Sequence, residues 1–263
     1  MTVDRRVRPP AAAGSFYPSD PRELEDTVDR LLEGSSGCLD ARPWGLVVPH
    51  AGYRYSGRVA ATAYGALRPW ASSLRTILLL GPAHFVPLEG CAVPAADVWR
   101  TPLGDIPIDG ALRDAVAAAG CAIDDGPHEP EHALEVQLPF LQRLVGEDLG
   151  VLPVAVGLAE PAQVAAVLEA VTADLVVIST DLSHYLDRVS ARIADRRTAD
   201  AVLARDPDSI GPRDACGVFA LRGAVGYAGA AGLTFRLLDL RTSGDTEGDP
   251  ARVVGYGAFA VER

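Results

Sequence analysis

Four short, continuously apolar runs constrain this chain more than any other feature. They are Gly45-Leu46-Val47-Val48, Thr76-Ile77-Leu78-Leu79-Leu80, Val151 to Val156, and Leu175-Val176-Val177-Ile178. None alternates apolar with polar residues, so each reads as a strand covered on both faces. Stretches with helical spacing lie between them. Asp20-Pro21-Arg22-Glu23 opens one: Asp20 can cap, Pro21 suits the first helical position, and Glu23 completes a capping box. That helix should run to about Glu33, with Leu24, Val28, Leu31 and Leu32 facing inward. Further helices are expected from Ser56 to about Leu67, from Asp109 to near Gly120, from Pro161 to Val171 and from Ser190 to Ala204. His132 to Val145 carries a stripe of Leu134, Leu138, Leu141 and Leu144, and Pro139 inside it predicts a kink or a late start. Shorter strands are expected at Cys91-Ala92-Val93 and Asp97-Val98-Trp99. Two more close the chain, near Leu233–Leu240 and Val253–Val261, with an exposed loop from Thr242 to Pro250 between them. The expectation is an α/β fold, one domain over residues 1–263, with a central mostly parallel or mixed sheet and helices on both faces.

The chain is long enough to bury a core without covalent staples. Its net charge of −11 argues against nucleic acid as a partner, which would require a basic stripe. Cys38, Cys91, Cys121 and Cys216 form no CxxC pair, so they read as reduced thiols of a cytoplasmic protein. Arg5, Arg6 and Arg8 are followed by no apolar h-region, so no signal peptide is expected. Ala215 to Leu233 is apolar except for Arg222; capped by Asp214, it reads as a buried helix and not as a membrane span.

Histidine is scarce and its placement is uneven. Of five, His50, His84, His132 and His184 sit in short turn-like motifs after or between apolar runs. In open α/β sheets ligands bind beyond the carboxyl ends of the strands. His50 and His84 follow their strands at nearly the same offset, and neighbouring strand ends about 5 Å apart could share one small ion. A third, anionic or soft ligand would come from Asp181, Glu131, Glu135 or Cys216. Cys216 lies at the expected helix start, where the thiolate is favoured. His128, in the polar turn Gly126-Pro127-His128-Glu129-Pro130, is expected to be an exposed bystander.

Seven motifs in order then resemble one family. They are Gly14-Ser15-Phe16-Tyr17-Pro18, Val48-Pro49-His50-Ala51-Gly52-Tyr53, Leu80-Gly81-Pro82-Ala83-His84, and Arg100-Thr101-Pro102-Leu103-Gly104. The rest are Glu131-His132-Ala133-Leu134-Glu135-Val136-Gln137-Leu138-Pro139, Ser179-Thr180-Asp181-Leu182-Ser183-His184 and Ala215-Cys216-Gly217. The set resembles the Memo-like proteins, whose prokaryotic members carry the label AmmeMemoRadiSam system protein B. The resemblance implies a fold similar to class III extradiol dioxygenases, which hold non-haem iron(II) on two histidines and a glutamate. It puts His50 and His84 on the histidine ligands and Cys216 on the third position. His132 and His184 are then candidate proton carriers or substrate contacts, and Asp181 a candidate for orienting a histidine.

Two departures from the dioxygenase pattern matter. Cysteine in place of glutamate softens the ligand set, so copper and zinc join iron(II) as candidates. Phe85 stands where many relatives carry a second histidine, which makes the pocket wall more apolar. The leading expectation is a metal-dependent, dioxygenase-like oxidoreductase acting on an unknown small organic substrate. The alternatives are a Cys216-dependent transferase or hydrolase, and a non-catalytic adaptor. For the adaptor, the gene-system label implies a radical-SAM and an AMMECR-type partner.

Overall fold

The computed structural model describes residues 5–35 and 37–263. The four apolar runs become Gly45–Val48, Leu175–Ser179, Thr76–Pro82 and Gly150–Val156, side by side in that order and all parallel. Nearly every residue in them is buried, as expected of strands covered on both faces. Antiparallel strands extend this centre. Val253–Glu262 pairs with Gly45–Val48 on one side and with Thr234–Thr242 on the other, and His184–Leu186 forms an edge against it. Cys91–Val93 runs antiparallel beside Gly150–Val156, followed by Ala122–Ile123. The sheet is therefore mixed. A small separate sheet joins Val7–Arg8, Val98–Thr101 and Gly104–Pro107.

Tyr53–Gly65 packs on the sheet with Pro21–Glu33 and Leu138–Val145 against it. Arg188–Ala204, Val218–Ala230 and Pro161–Glu169 form a second helical layer. Asp20 and Asp109 cap as expected, their carboxylates accepting first-turn N–H groups. Pro139 gives the late start: a 3₁₀ turn at Glu135–Gln137 precedes the α-helix, with the proline in its first turn. The apolar segment after Cys216 is a buried helix. Arg222 reaches its surface to donate to the Pro207 carbonyl at 3.0 Å. Among the described residues no helix is long and apolar enough to cross a membrane.

Three expectations fail here. The helix begins at Val218 with Gly217 as its cap residue, so Cys216 lies just outside it. Asp214 does not cap it; its carboxylate accepts the Gly211 N–H at 2.7 Å in the preceding turn. His128 is buried, only 1 % exposed. Its Nε2 donates to the Ala92 carbonyl at 3.1 Å, and its ring stands edge-on to Trp99. The turn's polar residues suggested solvent, but Trp99 and Arg8 come from a distant part of the chain and cover it.

Candidate metal centre

The carboxyl ends of three parallel strands meet at one rim. Gly45–Val48 leads into His50, Thr76–Pro82 into His84, and Leu175–Ser179 into Asp181. The two histidines are not on adjacent strands, contrary to the spacing argument. Leu175–Ser179 pairs with both of their strands and separates them. The loops close over its end, so the two imidazole centroids are only 5.3 Å apart.

Ser179 is the residue beneath them. Its hydroxyl donates to the Ala133 carbonyl at 2.6 Å, which uses its single proton. It can then only accept, from Gln137 Nε2 at 2.9 Å and from His50 Nδ1 at 2.9 Å. This fixes the His50 proton on Nδ1 and leaves the Nε2 lone pair facing Cys216 Sγ at 3.1 Å. Burial and the neighbouring His84 lower the His50 pKa to about 3, so the ring is neutral.

Glu131 does for His84 what Ser179 does for His50. One carboxylate oxygen accepts His84 Nδ1 at 2.9 Å and the Ala133 N–H at 2.8 Å; the other accepts the His84 N–H at 2.6 Å. Burial pushes this carboxyl up, but the donors from His84 outweigh it and bring it to about 2. His84 is thereby held by Nδ1, with Nε2 free. Asp181 had been the expected orienting group. It does grip His50, but through the main chain: its carboxylate accepts the His50 N–H at 2.8 Å, and Ser179 and Glu131 hold the rings. Burial raises Asp181 to about 6.

Cys216 Sγ receives the Asp181 N–H at 3.2 Å. Gly217 allows this approach. Its N–H donates to Thr180 Oγ1 at 2.9 Å, and a Cβ there would lie 2.9 Å from the Ser179 carbonyl oxygen. Burial, then the charge of Asp181, pushes the thiol up, the opposite of the lowering expected at a helix start. Without a cation the sulfur keeps its proton and donates to His50 Nε2.

Ligating atoms of His50, His84 and Cys216 lie within 4.8 Å of one another. A tetrahedral ion bound at about 2.0–2.3 Å separates its donors by roughly 3.3–3.7 Å, so small side-chain shifts suffice. Two imidazoles, each held through Nδ1 with Nε2 turned to the centre, and one sulfur fit a soft or borderline ion. His84, Glu131 and His132 form a second group of the same span. There Glu131 already accepts three hydrogen bonds, two of them from His84, which is the part of an orienting group.

His132 is stacked between Phe16 at 4.1 Å and His84 at 4.9 Å. Burial, then His50, lowers it to about 3. Its Nδ1 lies 3.3 Å from a Glu131 oxygen, but the alignment is too poor for a hydrogen bond and the nitrogen is left without a partner. His184 points Nδ1 at the Leu182 carbonyl, 2.7 Å away. Both line a cleft of about 710 Å³ over the three donors, walled in part by Phe85 and Tyr185.

Glu135, the remaining sequence candidate for a ligand, has another task. It is fully buried, paired with Arg8, and accepts the Ala11 and Ala12 N–H groups at 2.8 Å and Tyr17 OH at 2.5 Å. It ties down the segment that carries Phe16 to His132. The residues that sequence reasoning missed are Ser179 and Gln137. The one available signal was a polar residue ending an apolar run, which by itself does not separate a strand terminus from a ring-orienting hydroxyl.

The family model described as "Memo-like protein" matches residues 8–260. A "MEMO1 family protein" of Methanosarcina acetivorans is 37 % identical over 97 % of this chain and 99 % of its own length. A protein of the same description from Aquifex aeolicus is 36 % identical, covering 95 % and 97 %.

Proposed function

The chain belongs to the Memo-like protein family, and from that premise we propose that it is a metal-dependent redox protein of the non-haem iron type, acting on a small organic substrate. The observation that carries this reading is the convergence of three donors on one rim, with both imidazoles held through Nδ1 so that Nε2 is free. His50, His84 and Cys216 would hold the ion. Iron(II) there would supply dioxygen binding and electron transfer, and copper or zinc are the alternatives for the same donors.

The protein's own side chains supply the rest. Ser179 and Glu131 keep the ligand lone pairs aimed. Phe85, Phe16 and Tyr185 make part of the cleft apolar, which suits a ring or hydrocarbon portion of a substrate. His132 and His184 are the proton carriers. Each has a free ring nitrogen beside the cleft, and a positioned acid or base contributes ~10²–10⁴-fold.

The test is elemental analysis of protein prepared without oxygen, followed by oxygen uptake with catechols and other phenols. Near-stoichiometric metal, lost in His50→Ala and in Cys216→Ala, is the expected result. A protein that neither contains nor binds metal refutes the reading.

A further inference from the structure

A second cavity lies beside the metal cleft. It holds about 1150 Å³ between the Gly14–Pro18 loop, the helix Pro21–Glu33 and the start of the helix Tyr53–Gly65. Phe16, Gly52 and Tyr55 line both spaces, so these three residues form the boundary between them.

The charge of this cavity is opposite to that of the chain. In a protein of net charge −11, its wall carries Arg30, Arg54, Arg58 and Arg241 against only Asp239 and Glu247, an excess of two positive charges. Arg241 is bound to the Asp239 carboxylate, both contacts at 2.9 Å. The other three differ. Arg30 donates to the Asp26 carbonyl and to Thr27 Oγ1, and Arg54 lies over the Tyr55 ring. Among the described residues none of Arg30, Arg54 and Arg58 has a carboxylate within ion-pair distance, so their three charges stand together on the wall without a counter-charge of their own. Arg54 and Arg58 are four residues apart and so share a helix face. Arg54 stands in the first turn, where the helix field disfavours a cation, and that turn has no acidic residue and no capping side chain. A bound anion would relieve the dipole and the clustered guanidinium charge together.

We propose that this cavity is an anion subsite that takes the phosphate or diphosphate group of a small organic ligand, whose remainder reaches the metal cleft past Phe16, Gly52 and Tyr55. Guanidinium forks match phosphate oxygens, and an excess of two charges matches a dianion better than a single carboxylate. The second half of the proposal rests on the metal-site reading; the anion subsite does not.

The experiment measures binding of inorganic diphosphate, of inorganic phosphate and of phenyl phosphate to the full chain by calorimetry at low and at 0.15 M salt. Saturable one-to-one binding that weakens with salt is expected. Arg54→Gln and Arg58→Gln should each weaken it about ten- to a hundredfold. Arg236→Gln, a surface arginine outside the cavity, should leave it unchanged. His50→Ala should retain diphosphate binding while losing metal, which keeps failure of the metal reading separate from failure of this one. Phenyl phosphate, but not diphosphate, should slow alkylation of Cys216. Absence of saturable diphosphate binding, or equal binding in Arg54→Gln and Arg58→Gln, overturns the subsite. Unchanged Cys216 alkylation with bound phenyl phosphate overturns the connection to the metal cleft.

Discussion

Replacing Ser179 with alanine tests the logic of the centre at its base. The hydroxyl is fully buried and engages three groups: it donates to the Ala133 carbonyl and accepts from Gln137 Nε2 and His50 Nδ1. Gln137 keeps its bond to the Pro49 carbonyl at 3.0 Å, so its loss is partial. The His50 Nδ1–H and the Ala133 carbonyl lose a partner in a dry environment, at about 1–3 kcal/mol each. The Ser179→Ala protein should therefore be about 2–6 kcal/mol less stable in urea unfolding. More telling is the metal. With nothing to hold its proton on Nδ1, His50 can rotate or change tautomer, and loss of such a partner lowers metal affinity about 10–100-fold. Competition against a chromophoric chelator measures this, and nitrogen-15 shifts of His50 report the tautomer directly. The stability loss alone would be expected of any buried hydroxyl. If metal affinity and the Nδ1–H tautomer are both unchanged in the folded variant, Ser179 does not orient the ligand and the donor-counting argument is wrong.

Other outcomes follow from the same structure. Gly217→Ala places a methyl 2.9 Å from the Ser179 carbonyl oxygen; it should cost about 1–3 kcal/mol and weaken metal binding, read by thermal melting and the same chelator assay. Glu135→Gln leaves Arg8 buried without its counter-charge. It should destabilise by about 3–5 kcal/mol and expose the Pro9–Ala13 segment to proteolysis, and resistance equal to the parent protein would argue against that anchor. His128 is held neutral at about 4, chiefly by burial, and ionises near 6.5 when unfolded. Between those values the unfolded chain takes up a proton that the folded one refuses, so stability present above pH 6.5 is lost as pH falls, at up to about 1.4 kcal/mol per pH unit. In His128→Phe the slope of unfolding free energy between pH 6.5 and 4.5 should flatten by about one proton, and an identical slope would show that His128 titrates normally.

The order of the central strands, the burial of His128 and the position of Cys216 separate what is local in this protein from what is not. A run such as Leu175-Val176-Val177-Ile178 is legible because burial on both faces leaves no polar position in it, and a helix start such as Asp20-Pro21 is legible because capping is a contact between residues two or three apart. His50 and His84 were likewise legible as candidates, because their motifs sit where parallel strands end, whereas Cys216 follows no strand and was singled out from four candidates only by the family resemblance. Strand order is a different kind of fact. Leu175–Ser179 enters between the strands of His50 and His84 although it comes far later in the chain than either. No local pattern encodes that insertion; it is settled by which apolar faces can be buried together. Because of it, Ser179 rather than Asp181 meets a ligand ring, and two histidines on strands that do not touch share one space.

The sequence by itself determined the elements, the mixed α/β arrangement and the residues with ligand chemistry, since each depends on side-chain type and short-range spacing. Only the tertiary structure decided which nitrogen of each imidazole is free, that Glu131 orients His84 while Glu135 anchors Arg8, and that the unpaired arginines converge beside the cleft. Those outcomes depend on partners brought from distant segments, and a hydrogen bond or an ion pair has no reality until folding places both of its ends within about 3 Å of each other.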